Sequence, residues 1–315
     1  MAETINRRDF FRKSMKAGLV AASGTPILAR LSQSSLPAQA KGPVDVAAVS
    51  GSDYLQSAVK AVEILGGMKT FVPKGSRVAL LPNVQSRNPG TFTKPEILRA
   101  VIRMCKEAGA KEVNILSWQP MKSWEDCGLA RPAAEEGAAL KLFEVKDENF
   151  KKVPIPDGKN FREAAILAEL TNNDVLINMP ITKNHAGNKF TGTMKNLMGL
   201  NSRPSNRTFH KENWTTDLSA IEFLDQSIVD LNKVIRPTLN IVDATEFVVT
   251  NGPMGPGDLL KPAKVVAGVD RVAVDAYCCT LWGLKGEDIF MIKQANAQNL
   301  GRMNLNSVKI REVKI

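Results

Sequence analysis

The chain has 315 residues, 43% hydrophobic and 23% charged, and its 42 Lys and Arg against 32 Asp and Glu give a formal charge of +10. That length supports a sizeable core in one large or two ordinary domains, and the composition excludes a disordered or fibrous chain. The basic excess bears on partners and solubility and not on fold: it favours acidic small molecules, anionic lipid or nucleic acid.

The first forty residues have the features of an export signal. Asn6-Arg7-Arg8-Asp9-Phe10-Phe11-Arg12-Lys13 has the twin-arginine pattern, residues 17–31 are mildly apolar, and Pro37-Ala38-Gln39-Ala40 has the small-residue form of a cleavage site. Residues 1–40 are therefore expected to engage the twin-arginine export machinery and to be cleaved after Ala40, leaving a periplasmic or otherwise exported protein. The apolar run is short and is interrupted by Pro26 and Arg30, so no stable membrane span is expected. Six Lys and Arg and two Asp and Glu lie in residues 1–40, so cleavage lowers the charge to +6. An exported address and the lack of any base-stacking motif argue against a nucleic-acid partner.

From residue 44 onward strand-like and helix-like runs alternate. Residues 44–49 predict a short strand, and Asp53 is the candidate N-cap of an amphipathic helix that runs through Leu65 and stops at Gly66-Gly67. Residues 77–81 (RVALL) predict a buried strand ended by Pro82-Asn83, and Lys94-Pro95-Glu96 opens a helix that finishes at Ala108-Gly109-Ala110. Residues 112–118 (EVNILSW) predict the next strand, 123–137 one or two short helices broken at Pro132, and 140–145 another strand. Residues 161–170 (FREAAILAEL) predict a helix, 174–179 (DVLINM) a strand, and 215–234 the longest helix, with one apolar stripe. Residues 239–243 predict a strand that 246–250 either extend or turn into a hairpin. The Gly- and Pro-rich loop at 251–258 has neither phosphate-binding fingerprint. A strand at 264–267, a helix at 272–284 capped by Asp270, and an edge strand at 309–313 close the chain.

This order predicts an α/β fold, with a mostly parallel β-sheet flanked by helices in three layers. It forms one domain over 41–315, with room for a second, smaller α/β lobe bounded near 147–160.

Residues 178–210 are the chemically richest stretch. They hold both histidines of the chain, His185 and His210, together with Lys183, Lys189, Lys195, Asn184, Asn188 and Asn196, and contain no acid. In open α/β sheets ligands bind beyond the carboxyl ends of the strands, and this stretch, Pro82-Asn83 and Ser117-Trp118 all follow predicted strands. Cations, imidazoles and amides without carboxylates suit an anion or a developing oxyanion. A solvated basic loop has the same composition.

The cysteines, Cys105, Cys127, Cys278 and Cys279, show no C-x-x-C spacing, so neither an iron-sulfur cluster nor a structural zinc site is signalled. Cys105 and Cys127 are the more local candidates for a disulfide in an oxidising compartment. Cys278 and Cys279 lie in an apolar helical run, where at least one reads as a small buried hydrophobe.

MPITKNHAGNKFTGTMKNLMGL resembles the K-x-K-T-H and T-G-x-x-K-N-x-x-G core of the domain-of-unknown-function 362 family. Phe209-His210, Ile241-Val242-Asp243, Asn251-Gly252-Pro253 and the run Gly268-Val269-Asp270-Arg271-Val272-Ala273-Val274-Asp275-Ala276 follow in the family's order. The resemblance covers about 44–284. The chain departs from the pattern at Leu81-Pro82-Asn83, where the family often has Lys-Pro-Asn, and in lacking a ferredoxin-type cysteine module. The resemblance implies a fold and a set of motifs, without a reaction or a named cofactor.

Together these residues define an expected site. Lys183, Lys195 and Asn196 hold a carboxylate or phosphate, with Asn83, Thr193, Asn251 and Gly252 as further ligand contacts. His185 and His210 supply acid-base capacity, with Lys183 as an electrophilic stabiliser. Asp243 and Asp275 are expected either to orient an imidazole or, as an alternative built on His185, His210 and Asp243, to share a metal with the histidines. No H-x-x-x-H spacing supports the metal. The partner is a small anionic molecule, and two functions fit it: an exported enzyme using acid-base chemistry, or a non-catalytic binding or assembly protein of a periplasmic redox system.

Overall fold

Short, nearly continuous runs of buried residues form the central sheet. The computed structural model describes residues 44–315, so the expected export signal and its cleavage site lie outside the described residues. The elements run β1 (Val46–Ser50), α1 (Tyr54–Ile64), β2 (Arg77–Pro82), α2 (Pro95–Glu107), β3 (Glu112–Ser117), α3 (Met121–Asp126), α4 (Ala130–Glu135) and β4 (Ala139–Leu142). Next come β5 (Phe150–Pro154), β6 (Glu163–Leu167), β7 (Val175–Met179), β8 (Lys183–His185), β9 (Lys189–Thr191), α5 (Thr193–Asn196), α6 (Arg203–Phe209) and α7 (Leu218–Val234). The chain closes with β10 (Leu239–Ala244), β11 (Phe247–Val248), β12 (Leu259–Leu260), β13 (Lys264–Gly268), α8 (Arg271–Thr280), α9 (Phe290–Ala297) and β14 (Ile310–Lys314).

Eight strands form one sheet in the order β14-β1-β13-β10-β7-β2-β3-β4. β4, β3, β2, β7 and β10 are mutually parallel, β13 runs against both of its neighbours, and β1 and β14 are parallel to each other. Successive strand residues point to opposite faces. Val46, Ala48, Ala79, Leu81, Val242 and Val266 meet Leu224 and Ile228 of α7, Val274 of α8 and Ile292 of α9. Ala47, Val49, Val78, Leu80, Ile241 and Ala267 meet Ala58 and Val62 of α1 and Leu98 and Ile102 of α2. Both faces are thus buried, which gives the expected three layers and explains why the parallel strands read as continuous apolar runs.

The caps form where the sequence places them: Asp53 accepts from the Gln56 N–H at the start of α1, and Asp270 accepts from Val272 and Ala273 at the start of α8. Residues 246–250 begin a hairpin, with β11 pairing antiparallel to β12.

Residues 161–170 are not a helix. They form β6 and a short 3-10 turn, although Ala, Glu and Leu favour helix. Antiparallel pairing with β5 buries Ala164 and Ile166 alternately with exposed Glu163, and the Asp230 carboxylate of α7 captures the N–H groups of Lys159, Asn160 and Phe161. Tertiary partners thereby override local preference. The first strand of this β5–β6 hairpin lies within the stretch 147–160, and Val153, Ile155, Ala164 and Ile166 join the core beneath α7.

The break in 123–137 also moves: it falls at Gly128, with φ 70°, while Pro132 sits in the first turn of α4, where it has no hydrogen bond to lose. Cys105, Cys127, Cys278 and Cys279 are all free and buried, so Cys105 and Cys127 are not joined.

The short helix α5 is fixed from beneath. Asp275 of α8 accepts from the N–H groups of Thr193 (2.6 Å) and Met194 (3.1 Å), and the Thr193 hydroxyl donates to the Arg271 carbonyl at 3.0 Å. The carboxylate satisfies two orphan donors of a helix start. Asp275 therefore anchors α5 and does not orient an imidazole. Gly192, which precedes α5, leaves room for this contact: a Cβ there would fall on the Asp275 carboxylate oxygen and within 2.6 Å of the Phe190 ring. Gly192→Ala is expected to destabilise the protein by about 1–3 kcal/mol through overpacking. Urea unfolding measures it, and an unchanged midpoint would contradict this account of the anchor.

Candidate functional site

A cavity of about 220 Å³ opens at the carboxyl ends of β2 and β3. Its walls are Pro82 at the end of β2 with Asn83 and Gln85 beyond it, Ser117 at the end of β3 with Trp118 and Gln119 beyond it, His185 of β8, Thr191 of β9, Lys195 and Asn196 of α5, Asn206 of α6 and His210 just after that helix. This is the edge of the sheet on which open α/β folds bind ligands. The volume lies below the ~300–1,000 Å³ of drug-sized pockets, so only a small molecule would fit.

The stretch 178–210 has the composition of a surface loop but folds inward. Lys183, His185, Asn188, Thr191, Lys195, Asn196 and Asn201 are all buried. The β8–β9 hairpin, α5 and α6 wrap this polar segment over the ends of the parallel strands.

Lys195 is the cationic group of the cavity wall. Its Nζ has only the Met198 Sδ, at 3.7 Å, within hydrogen-bonding range, and no carboxylate stands within ion-pairing distance among the described residues. Burial pushes its pKa below the ordinary lysine value, opposed by the field of Asp225. Asp225 of α7 is itself buried and pushed upward by desolvation, with its oxygens taken by Asn188 Nδ2 (2.7 Å) and the Met291 N–H (3.0 Å).

The two imidazoles meet at one end of the cavity, with ring centroids 6.4 Å apart. His185 Nδ1 lies 2.6 Å from the Ala186 carbonyl and His210 Nδ1 lies 2.8 Å from the Asn206 carbonyl. A carbonyl only accepts, so each Nδ1 carries the proton and each Nε2 keeps its lone pair. Trp214 touches both rings, at 5.0 Å from His185 and 4.9 Å from His210. Burial, followed by the charge of Lys195, pushes His185 well below 6.5 and brings His210 down to about 4. Both rings are neutral bases at neutral pH.

Lys183 does not line the cavity. Its buried Nζ donates to Asn83 Oδ1 (3.2 Å), Gln85 Oε1 (3.1 Å) and the Thr91 carbonyl (2.6 Å). Burial, and then the charge of Lys195, brings it down to about 7. It stands behind Asn83 and Gln85 and positions them. From Asn83 a chain of side-chain amides runs inward: Asn83 Nδ2 donates to Asn196 Oδ1 at 2.9 Å, Asn196 Nδ2 to Asn178 Oδ1 at 2.8 Å, and Asn178 Nδ2 to Asn240 Oδ1 at 3.0 Å.

Other expected contacts fall elsewhere. Asn251 and Gly252 are outside the cavity wall. The Gly252 N–H donates to Asn184 Oδ1 at 2.9 Å, its carbonyl accepts from the Ala186 N–H at 3.1 Å, and a Cβ there would overlap the Asn184 backbone. The glycine clamps the β8–β9 hairpin and so places His185; Asn251 Nδ2 donates to the Pro256 carbonyl within its own loop. Thr193 serves the α5 anchor. Asp243 is buried away from the histidines and accepts from the Lys94 N–H, the Thr245 N–H and the Thr245 hydroxyl. Among the described residues no group of three or more His, Cys, Asp and Glu is placed to hold a metal ion, so the His185, His210 and Asp243 alternative is not assembled. Gln85, Gln119, Asn206 and Trp214 join the site without any motif to announce them, whereas Thr191 opens the T-G-x-x-K-N motif and Ser117-Trp118 is signalled by its position at a strand end.

Residues 78–280 match the model of the family described as Domain of unknown function (DUF362). The thylakoid-associated protein of Synechocystis sp. (strain PCC 6803) is 32% identical over 226 residues, covering 68% of this chain and 65% of that protein. The match thus spans less than two thirds of the relative's length. Two solved structures share part of the architecture at low identity. The lactate racemase apoprotein of Thermoanaerobacterium thermosaccharolyticum has a TM-score of 0.47 at 14% identity, covering 76% of this chain and 59% of that one. A Thermotoga maritima protein has a TM-score of 0.39 at 16% identity, covering 61% and 51%. The fold assignment rests on this chain's own strand order.

The histidines carry a pH signature. Their folded pKa values lie below the unfolded value, so the stability linked to them is complete above 6.5 and is lost as pH falls, through about 4 for His210. Because the chain has only two histidines, nitrogen NMR resolves both rings. The expected outcome is two neutral Nδ1–H tautomers at pH 6, with His210 titrating near 4 and His185 well below 6.5. Midpoints near 6.5 would contradict the buried geometry.

Proposed function

The chain belongs to the DUF362 family, and from that premise and the geometry of its cleft we propose that it binds a small anionic ligand, a carboxylate, against Lys195, beside His185 and His210. One observation carries this reading: a buried Lys195 amine in a cavity wall that contains no acid and offers it only a thioether. An incoming carboxylate supplies the charge-assisted hydrogen bond that the site lacks.

The same anion prepares proton transfer. Lys195 is one cause of the depressed basicity of both imidazoles, and a bound carboxylate offsets its charge. Each Nε2 lone pair then becomes a better base while ligand is present, which is the condition for general base catalysis. Enzymatic acid-base action on a small carboxylate follows as the activity; tight retention of an anion without turnover is the outcome that assigns a binding role instead.

Lys195→Met is expected to weaken binding of a small carboxylate such as oxalate roughly 10- to 100-fold, the worth of one hydrogen bond to a charged group. Stability should be unchanged or raised, since a buried charge leaves with the side chain. In the wild type the affinity should fall as pH rises above neutrality, before the ordinary lysine value of 10.5 is reached. Calorimetric titration of both proteins measures this, and equal affinities would refute the site.

Export is the second part of the proposal. It is supported by the twin-arginine pattern at residues 6–13 and the small-residue site ending at Ala40. Among the described residues no helix is long and apolar enough to cross a membrane. Replacing Arg7 and Arg8 with Lys should retain an uncleaved chain inside the cell; fractionation showing unaltered cleavage after Ala40 would contradict the export reading.

A further inference from the structure

We infer that Lys195 is an amine nucleophile and that the cleft takes small 2-oxo acids, condensing their keto carbon with Lys195 Nζ to form an imine. The inference rests on the anion-site reading above and names the ligand class within it.

Four observations support it. The first is the partner of Nζ. A thioether is a weak acceptor, and no carboxylate among the described residues pairs with Nζ, so little holds the proton on the amine when it is called on to attack. The second is the surrounding charge. The groups facing Lys195 are Lys183 behind the cavity wall, the neutral imidazoles of His185 and His210, and the Asp225 carboxyl of α7, which stands beyond ion-pairing distance. Burial in that setting lowers the lysine pKa, the usual route to a nucleophilic amine.

The third is rigidity. Thr193 and Met194 are tied to Asp275, and Asn196 to Leu81, Asn83 and Asn178, so the backbone on both sides of Lys195 is anchored. Such anchoring preorganises a reacting group. The fourth is a pair of unpartnered groups in the same wall. Trp118 Nε1 and Thr191 Oγ1 are buried without a hydrogen-bond partner, and both residues line the cavity. They supply two donors for the ligand carboxylate while Nζ attacks the adjacent carbonyl carbon.

The step balances without an oxidant or reductant. The Nζ lone pair forms the C–N bond, the carbonyl π pair moves to oxygen, and that oxygen takes the first of the two amine protons. The two hydrogens of the neutral amine leave with the oxygen as water, and the C=N bond forms. The Nε2 atoms of His185 and His210 are the groups available to carry these protons.

The test is reductive trapping. The full chain is incubated with pyruvate or glyoxylate and sodium cyanoborohydride at neutral pH, then analysed by intact mass and peptide mapping. The expected result is one adduct, equal in mass to the acid less one oxygen atom, on the peptide containing Lys195. It should be lost in Lys195→Arg and suppressed in the wild type by excess oxalate, which makes the result independent of how the variant folds. Label spread over exposed lysines with Lys195 unmodified, or label unchanged in Lys195→Arg, would overturn the inference. Calorimetry with pyruvate and oxalate separates the two levels. Binding of both without trapping refutes the imine and leaves the anion site standing, whereas binding of neither refutes both.

Discussion

The geometry of the site depends on one continuous chain of hydrogen bonds. It starts at Lys183 Nζ, passes through the amides of Asn83, Asn196, Asn178 and Asn240, and ends on the carbonyls of Gly268 and Val269 at 3.2 and 3.3 Å. Lys183 Nζ donates to the three oxygens around it and a backbone carbonyl can only accept, so both ends impose the same direction on every amide between them. The chain ties the end of β2, helix α5 and strands β7 and β10 to the end of β13 with neutral groups. Head-to-tail amides polarise one another, and removing one member leaves buried partners unsatisfied on both sides. Lys195 projects from a helix whose last residue belongs to this chain.

That arrangement has an electrostatic consequence. The amide chain satisfies Lys183 without a carboxylate, and the backbone carbonyls of Ala186 and Asn206 satisfy the two Nδ1 atoms without one. The folded protein therefore keeps basic nitrogens buried with little compensating charge, which opposes protonation of all of them. Ionisable groups held in this way concentrate where function needs them. Folding sets up the imbalance that the proposed anionic ligand would relieve.

Much of the frame was legible because it depends on local pattern. Short apolar runs, breaker residues and capping residues located β1, α1, β2, α2 and β3, and the rule about strand ends pointed to Pro82-Asn83, Ser117-Trp118 and the segment after β7. Residues 161–170 misled because Ala, Glu and Leu favour helix, while what decides the outcome is pairing with β5 and the carboxylate of Asp230, which lies far away in sequence. The amide chain was invisible for a related reason. Asn83 and Asn196 are 113 positions apart, and asparagine carries no periodic signal. The composition of 178–210 showed which chemistry was present but not that it is buried, nor that Lys183 faces Asn83 and Gln85 while Lys195 faces the cavity. Asp243 and Asp275 were read as groups that orient an imidazole or share a metal, and Asn251 and Gly252 as ligand contacts; in the fold both acids accept backbone N–H groups and Gly252 holds the β8–β9 hairpin, because in sequence alone an acid that ties down backbone looks like one that binds.

Trp214 closes the far side of the two imidazoles, and Trp118 forms part of the cavity wall, while Trp124 is fully buried in the core and Trp282 packs against Phe190 and Phe247. Two of the four indoles in the chain thus sit where occupancy changes their surroundings, and the other two serve as internal references. The protein carries its own optical reporter, so filling of the cleft can be followed by intrinsic emission without attaching any dye.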